Sequence, residues 1–324
     1  MTGDRQLQRA FVVSVVWTLG LLFLGSVVHA TGSSLACPDW PTCYGSLMPE
    51  MTGGVFWEHL HRLVAGGLIL IFGGATYLAW KHAGSGSAIL KWCWVGLGLL
   101  LVQAALGGIT VILDLPDPIS TSHLVAAFLF LGLASVLALV ASPEWGTREP
   151  LGGNVLAGVR RWSVGVALLT LVQSALGAWV RHADAGMACP DIPLCMGRWV
   201  PPMESRLVLL QWHHRLVGVV LALATVWMAW KVFRSTHLGR FRKAAAAALV
   251  LVLVQVGLGF ASVATTLSVI PVSLHTLVAA SLFAVTLTLA AYTWERPGVG
   301  GVLGGRRVSQ ESSATRTGAG RGGL

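Results

Sequence analysis

Apolar residues in this chain are grouped into eight long runs that are separated by short polar segments. Each run is about 20 residues or longer, which is the length that a helix needs to cross a hydrocarbon core about 30 Å thick. The pattern predicts an all-α membrane protein with eight transmembrane helices. The runs cover residues 11–29, 57–80, 90–113, 121–141, 162–181, 208–230, 244–265 and 273–292.

The first run has one feature of a secretory signal peptide, because Val28-His29-Ala30 resembles a small-residue cleavage site. Its apolar stretch is too long for a typical signal peptide, and a matching run occurs inside the chain at residues 162–181. We therefore expect the first run to be a helix of the mature protein.

Composition supports a membrane protein, since the mean hydropathy is +0.72 and only 11% of the residues are charged. The net charge of +9 would favour a nucleic-acid partner in a soluble protein, but 17 of the 22 basic residues fall on one side of the predicted membrane. The positive-inside rule then predicts a multi-pass protein of the cell inner (plasma) membrane with both termini cytoplasmic. The last segment, 296–324, is rich in Gly, Ser and Arg and is predicted to be a disordered cytoplasmic tail.

The chain contains an internal duplication. The segment that starts at Cys37 and ends at Cys43 recurs between Cys189 and Cys195, 152 residues later. Gln103 and Gln255 share this spacing, as do His123 and His275, and His61 and His214 differ by 153. Several anchors in one register predict two tandem four-helix bundles of parallel topology, over residues 1–150 and 151–295.

A Leu-Gly pair recurs in every odd-numbered predicted helix. The glycines are Gly25, Gly107, Gly177 and Gly259. A glycine lets a helix backbone closely approach either another helix or a flat cofactor, and the sequence does not decide between the two.

Four histidines lie about one turn inside the same end of the even-numbered helices: His61, His123, His214 and His275. Polar side chains inside a bilayer are costly and need partners. Neutral imidazoles are the usual axial ligands of a haem iron, and helical bundles often supply them from facing helices. Each half has two such histidines and is predicted to bind one haem. Zinc fits less well, because carboxylate and thiolate ligands are absent at this depth. His213 adjoins His214, but the repeat aligns His61 with His214. We therefore predict that His214, and not His213, is the ligand.

The residues beside these histidines differ between the halves in one place. Glu58 lies three residues before His61, on the same helix face, where the second half has Gln211. A carboxylate in one copy and an amide in the other suggest that one site reacts while the other stores or relays electrons; chance divergence is the alternative. Arg62 and Arg215 directly follow a histidine, and each can bind haem propionates or extend toward lipid headgroups.

The cysteines on the non-cytoplasmic side form two pairs, Cys37 with Cys43 and Cys189 with Cys195. On an oxidising face such spacing predicts local disulfides. A structural clamp and a redox-active dithiol are both open for the first pair, and a structural role is expected for the second. Cys93 is expected to be a small core residue, and the histidines without a paired counterpart, including His29, His59 and His182, to be interfacial or loop residues.

These residues together resemble the bacterial and mitochondrial haem A synthases. The resemblance covers all eight predicted helices and rests on the Cys37–Cys43 loop, Glu58 and His61-Arg62, His214-Arg215, His123 and His275. It implies an oxidoreductase that oxidises the C8 methyl of haem O to a formyl group, which gives haem A for terminal oxidases.

The resemblance also implies site roles. His61 and His123 would hold the substrate haem O, Glu58 would act on it as an acid, base or positioning group, and His214 and His275 would ligate a haem b cofactor. Implied partners are an electron donor such as ferredoxin or quinol, haem O synthase, oxidase assembly factors and membrane lipid, with no nucleic acid. The chain departs from the pattern at His29, where such sequences usually have an arginine.

Two other classes of function use the same residues. A di-haem electron-transfer cytochrome would need the four histidines but neither Glu58 nor two unlike halves. A duplicated transporter would use the histidines to bind substrate or protons and would show no Soret absorption when purified.

Overall fold

The computed structural model describes residues 2–143, Trp145 and 154–294. Within these ranges the chain folds into eight long helices, each long and apolar enough to cross a membrane, which confirms the all-helical membrane class. The helices are α1 Thr2–Ala30, α2 Gly53–Ala83, α3 Ala88–Ile112, α4 Asp117–Val140, α5 Asn154–His182, α6 Arg206–Arg234, α7 Arg242–Ala264 and α8 Val269–Tyr292. Two short 3-10 helices, Ala185–Met187 and Thr236–Phe241, lie in the connections.

Several helices extend beyond the apolar runs that predicted them. The helix α1 begins at Thr2 because its first turns also pack inward, with Leu7 and Phe11 buried in the core of the first half. Helix ends that lie beyond the hydrocarbon core tolerate polar residues, so an apolar run marks only the middle of a helix. The predicted tail, 296–324, lies outside the described residues.

Each half is a four-helix bundle. In the first half α1 packs on α2 and α4, and α3 packs on the same two helices; α5 to α8 repeat this arrangement. The first core centres on Phe72, whose ring lies 6.1 Å from Phe11 and 5.0 Å from Phe130 between centroids. Such packing of apolar faces drives the association of helices in a bundle.

The two bundles meet through α1 and α4 of the first half and α5 and α8 of the second. Phe128, Leu131, Ala167 and Phe283 are buried in this junction. A methyl group on Gly132 would lie 2.7 Å from Cδ2 of Leu287 and 3.0 Å from Cε1 of Phe283, so α4 and α8 pack closely at this glycine.

All of the long loops that the structure describes lie at one end of the molecule. Four-residue connections join α2 to α3, α3 to α4 and α7 to α8, so these neighbours run antiparallel. The loops 31–52 and 183–205 therefore share an end with the turns 113–116 and 265–268. We call this the loop end. It contains the start of every even-numbered helix, which is where the four histidines lie.

The duplication extends to backbone conformation. Asp114 and Leu115 have φ values of 55° and 58° in the turn before α4, and Thr266 and Leu267 have 50° and 65° before α8. A positive φ is unfavourable for residues other than glycine. The same tight turn at positions 152 residues apart supports a common ancestry of the halves.

Candidate functional site

Each of the four predicted ligand histidines lies against a glycine of the preceding helix. A methyl group added to the glycine would lie 3.0 Å from Cε1 of the histidine at Gly25 and His61, 3.2 Å at Gly107 and His123, 2.9 Å at Gly177 and His214, and 3.3 Å at Gly259 and His275. Side chains rarely approach so closely. The recurring glycines therefore make room for imidazole rings, a role that the sequence had left between helix packing and cofactor contact.

The histidines lie at similar depth. His61 and His214 are eight residues after the start of their helices and His123 and His275 six, which corresponds to about 9–12 Å from the loop end. The fold thus places two of these histidines at similar depth in each half, and their pairing on one iron stays a prediction.

The polar atoms of these rings fit a porphyrin iron. The Nδ1 atom of His61 is buried and has no hydrogen-bond partner among the described residues. His214 differs, since Nε2 of Gln173 lies 3.1 Å from its Nδ1 and donates to its carbonyl oxygen at 2.9 Å. Buried imidazole atoms without partners are costly, and paired neutral imidazoles suit haem iron. The donor set therefore fits a haem in each half.

Glu58 is buried beneath the first loop. Its Oε2 accepts a hydrogen bond from the backbone N–H of Cys37 at 2.8 Å, and its Oε1 forms an ion pair with Nη2 of Arg62 at 2.6 Å. Arg62 also donates to the carbonyl oxygens of Asp39 at 2.7 Å and Thr42 at 2.5 Å. The carboxylate and the guanidinium therefore join the start of α2 to the disulfide loop.

We call the contact of Arg62 with the loop carbonyl oxygens the arginine clamp. The second half repeats this clamp, but without the carboxylate. Arg215 donates to the carbonyl oxygens of Asp191 at 2.8 Å and Leu194 at 2.6 Å, and also to that of Cys189. Gln211 is buried and donates to the carbonyl oxygen of Gly186 at 3.2 Å. Both arginines contact loop carbonyls, so a role in binding propionates stays a prediction for each of them.

Both predicted disulfides are present, Cys37–Cys43 and Cys189–Cys195. The sulfur atoms of the first pair cluster with His59, with ligand atoms within 4.8 Å of one another. Sulfur atoms joined in a disulfide are not thiolates, so this cluster offers no set of metal ligands. His59 is buried and its Nε2 lies 3.0 Å from the carbonyl oxygen of Leu47, so it packs against the first loop near the start of α2.

Comparison with known proteins gives these features a family. A family model described as cytochrome oxidase assembly protein (COX15-CtaA) matches residues 8–54 and 50–287. The chain belongs to this family. It is similar to the heme A synthase of Shouchella clausii (strain KSM-K16), with 28% identity over 242 residues that cover 72% of this chain and 79% of the relative.

Two further relatives give the same result. The heme A synthase of Lysinibacillus sphaericus (strain C3-41) is 29% identical over 237 residues, which cover 71% of this chain and 76% of the relative. The heme A synthase of Shewanella oneidensis is 27% identical over 267 residues, which cover 70% of this chain and 79% of the relative.

In this member of the cytochrome oxidase assembly family, a polar contact between the halves was missed by the sequence. Arg181 of α5 donates to Oγ of Ser26 at 2.7 Å and to its carbonyl oxygen at 2.8 Å. The rings of His29 and His182 lie 4.8 Å apart nearby. His29 and Arg181 are equivalent positions, 152 residues apart, so the substitution at His29 was the available signal.

Asp39 organises the first loop from a half-buried position. Its carboxylate accepts hydrogen bonds from the Thr42 hydroxyl, from the backbone N–H of Gly45 at 2.9 Å and from that of Tyr44 at 2.6 Å. These donors, the Thr42 hydroxyl above all, lower the pKa of Asp39 below its usual value of 3.8. Asp39 thus fixes the turn between the two cysteines and stays charged at neutral pH.

Proposed function

We propose that this protein is a haem A synthase, a membrane oxidoreductase that converts the C8 methyl of haem O to a formyl group. The product, haem A, would serve terminal oxidases. The observation that carries the proposal is the glycine-backed pair of imidazoles in each half, at one depth in the bundle. Membership in the cytochrome oxidase assembly family and relatives named heme A synthase support it.

The two halves take different roles in this proposal. His61 and His123 hold the substrate haem O in the first half, residues 1–150, and His214 and His275 hold a haem b cofactor in the second, residues 151–295. The position of Glu58 supports this order, because the carboxylate lies one turn before His61 in α2 and pairs with Arg62, while the second half has Gln211 in its place. Only the first half can hold or move a proton at that point.

Glu58 acts on the substrate as a proton-handling or positioning group. The bound haem, with oxygen and an electron donor, supplies the oxidising power that a methyl C–H bond requires. The ion pair with Arg62 and the N–H of Cys37 hold the carboxylate of Glu58 in one orientation. Arg62 and Arg215 are each next to a ligand histidine. Each guanidinium would donate to a propionate of its haem while it also donates to the loop carbonyls.

The proposed setting is the inner (plasma) membrane, with both termini in the cytoplasm and the loop end on the opposite side. Electrons would come from a donor such as ferredoxin or quinol. Haem O synthase and oxidase assembly factors are proposed partners, as the source of the substrate and the users of the product.

The direct test is mass analysis of haems extracted from cells that make haem O, with and without this protein. We expect the alcohol and aldehyde derivatives of haem O only when the protein is present, and not with the His61→Ala variant. Purified protein with a Soret band but unchanged haem O would instead indicate an electron-transfer cytochrome. Protein without a Soret band would favour a transporter.

A further inference from the structure

Trp40 is a loop residue whose indole lies on the backbone of α3. A methyl group on Gly108 would lie 2.8 Å from Cδ2 and 3.0 Å from Cε2 of the Trp40 ring. Side chains larger than hydrogen at residue 108 are therefore incompatible with this position of the indole. Gly108 itself is buried, while Trp40 is 40% exposed. The ring thus covers this part of α3 from the loop side.

This position connects Trp40 to both histidines of the first pair. Gly107, the neighbour of Gly108, lies against the ring of His123. The residue before Trp40, Asp39, accepts a hydrogen bond through its carbonyl oxygen from Arg62, which directly follows His61. The loop that carries Trp40 is therefore joined to α2 next to His61, and its indole rests on α3 next to the glycine that contacts His123.

The second half has the opposite arrangement at the equivalent positions. Trp40 corresponds to Ile192 and Gly108 to Phe260, each 152 residues later. The clamp is the same, since Arg215 donates to the carbonyl oxygen of Asp191 at 2.8 Å. In the second half the aromatic residue, Phe260, is in helix α7 and not in the loop. The two arrangements exclude each other, because the Cβ of a residue such as Phe260 would overlap the indole in the first half.

We propose that Trp40 is the residue that retains the substrate in the first site, and that its location on a loop makes this site the exchangeable one. A substrate must enter and leave, whereas a cofactor stays. An aromatic ring on a loop can move away from a bound haem, while Phe260 is fixed to a membrane helix. This inference rests on the proposed function, in which the first half binds haem O and the second half a resident haem.

The test is the rate at which each haem leaves the intact protein. Protein loaded anaerobically with haem O is mixed with excess apomyoglobin, and the haem that remains bound is identified by mass at intervals. We expect Trp40→Ala to release haem O about tenfold faster, which corresponds to the loss of one large aromatic contact. Release of haem b, held in the other half, should not change, and its retained spectrum shows that the variant is folded.

Exchanging the two arrangements gives the sharper comparison. The double variant Trp40→Ile with Gly108→Phe should release haem O about tenfold more slowly, and Ile192→Trp with Phe260→Gly should make haem b exchangeable. Trp40→Phe keeps an aromatic ring and should stay within about twofold of the native protein. Unchanged haem O release in both Trp40→Ala and the first double variant would overturn the proposal. Failure of the native protein to make haem A would overturn only the proposed function.

Discussion

At the scale of single residues, each intramembrane histidine occupies space that a glycine leaves open. The rings of His61, His123, His214 and His275 all contact the backbone of the preceding helix at a glycine. A ring held on one side by a helix backbone has little freedom to turn, which suits a group that must aim one nitrogen at an iron. The four contacts explain why a histidine and a glycine recur together in this chain.

This contact leads to a prediction for the second site. Gly177→Ala places a methyl group 2.9 Å from Cε1 of His214, so the ring must shift. We expect the haem affinity of the second half to fall about tenfold, as for an overpacked core position. Gly165→Ala is the matched control on α5, since nothing lies within 4 Å of a methyl group there. Haem content per protein checks both variants, and equal losses would contradict the role of Gly177.

Glu58 allows charge to be separated from hydrogen bonding. The Glu58→Gln variant keeps an acceptor for the N–H of Cys37 and copies the second half, but it loses the ion pair with Arg62. We expect bound haem to persist and haem A formation to fall by about 100-fold or more, as when an acid–base group is removed. Haem extraction and the Soret spectrum measure the two effects. Full turnover by Glu58→Gln would rule out a proton-handling role.

Asp39 predicts a pH dependence in the first loop. Its pKa in the folded protein lies below the usual value of 3.8, so the charged form stabilises the loop above that pH. This contribution is lost as the pH falls below 3.8 and through the folded pKa. We expect the protection of the Tyr44 and Gly45 amides from hydrogen exchange to fall in that range. The Asp39→Asn variant should show no such step.

At the scale of helices, the sequence predicted the number and order of elements better than their ends or lateral contacts. Long apolar runs carry the spanning signal, so all eight helices were predicted. The extension of α1 to Thr2 and the burial of His59 depend on tertiary packing, which no local pattern shows. The link between Arg181 and Ser26 joins residues 155 positions apart and was not predicted either. The roles of the site residues themselves remain predictions.

The link between α1 and α5 is itself testable. Arg181→Met removes two hydrogen bonds to Ser26 while keeping an apolar stem of similar length. We expect the free energy of unfolding to fall by about 2 kcal/mol, the range for hydrogen bonds from a charged group. Arg198→Met, at an exposed position of the same end, is the control. Unfolding in mixed detergent micelles gives the comparison, and equal stability of the two variants would show that the link contributes nothing.

At the scale of the whole molecule, duplication produced two similar bundles that differ at several positions near the loop end. Glu58 in the first half corresponds to Gln211 in the second, Trp40 to Ile192, and Gly108 to Phe260. The histidines, glycines, disulfides and arginine clamps are kept in both halves. A shared scaffold with different residues near each pair of histidines is consistent with two haems that have different roles.

The orientation of the molecule in the membrane follows from its charge and can be measured. Basic residues concentrate on the side opposite the loop end. The loop end should therefore face away from the cytoplasm. Ser85→Cys lies in the exposed turn between α2 and α3, and Glu204→Cys in the exposed second long loop. The native cysteines give little background, since Cys93 is buried and the other four form disulfides. An impermeant maleimide should label residue 204 in cells with a permeable outer envelope, and residue 85 only after lysis, because the membrane separates the two ends. The reverse pattern would place the loop end in the cytoplasm, where disulfides rarely persist, and would contradict the proposed orientation.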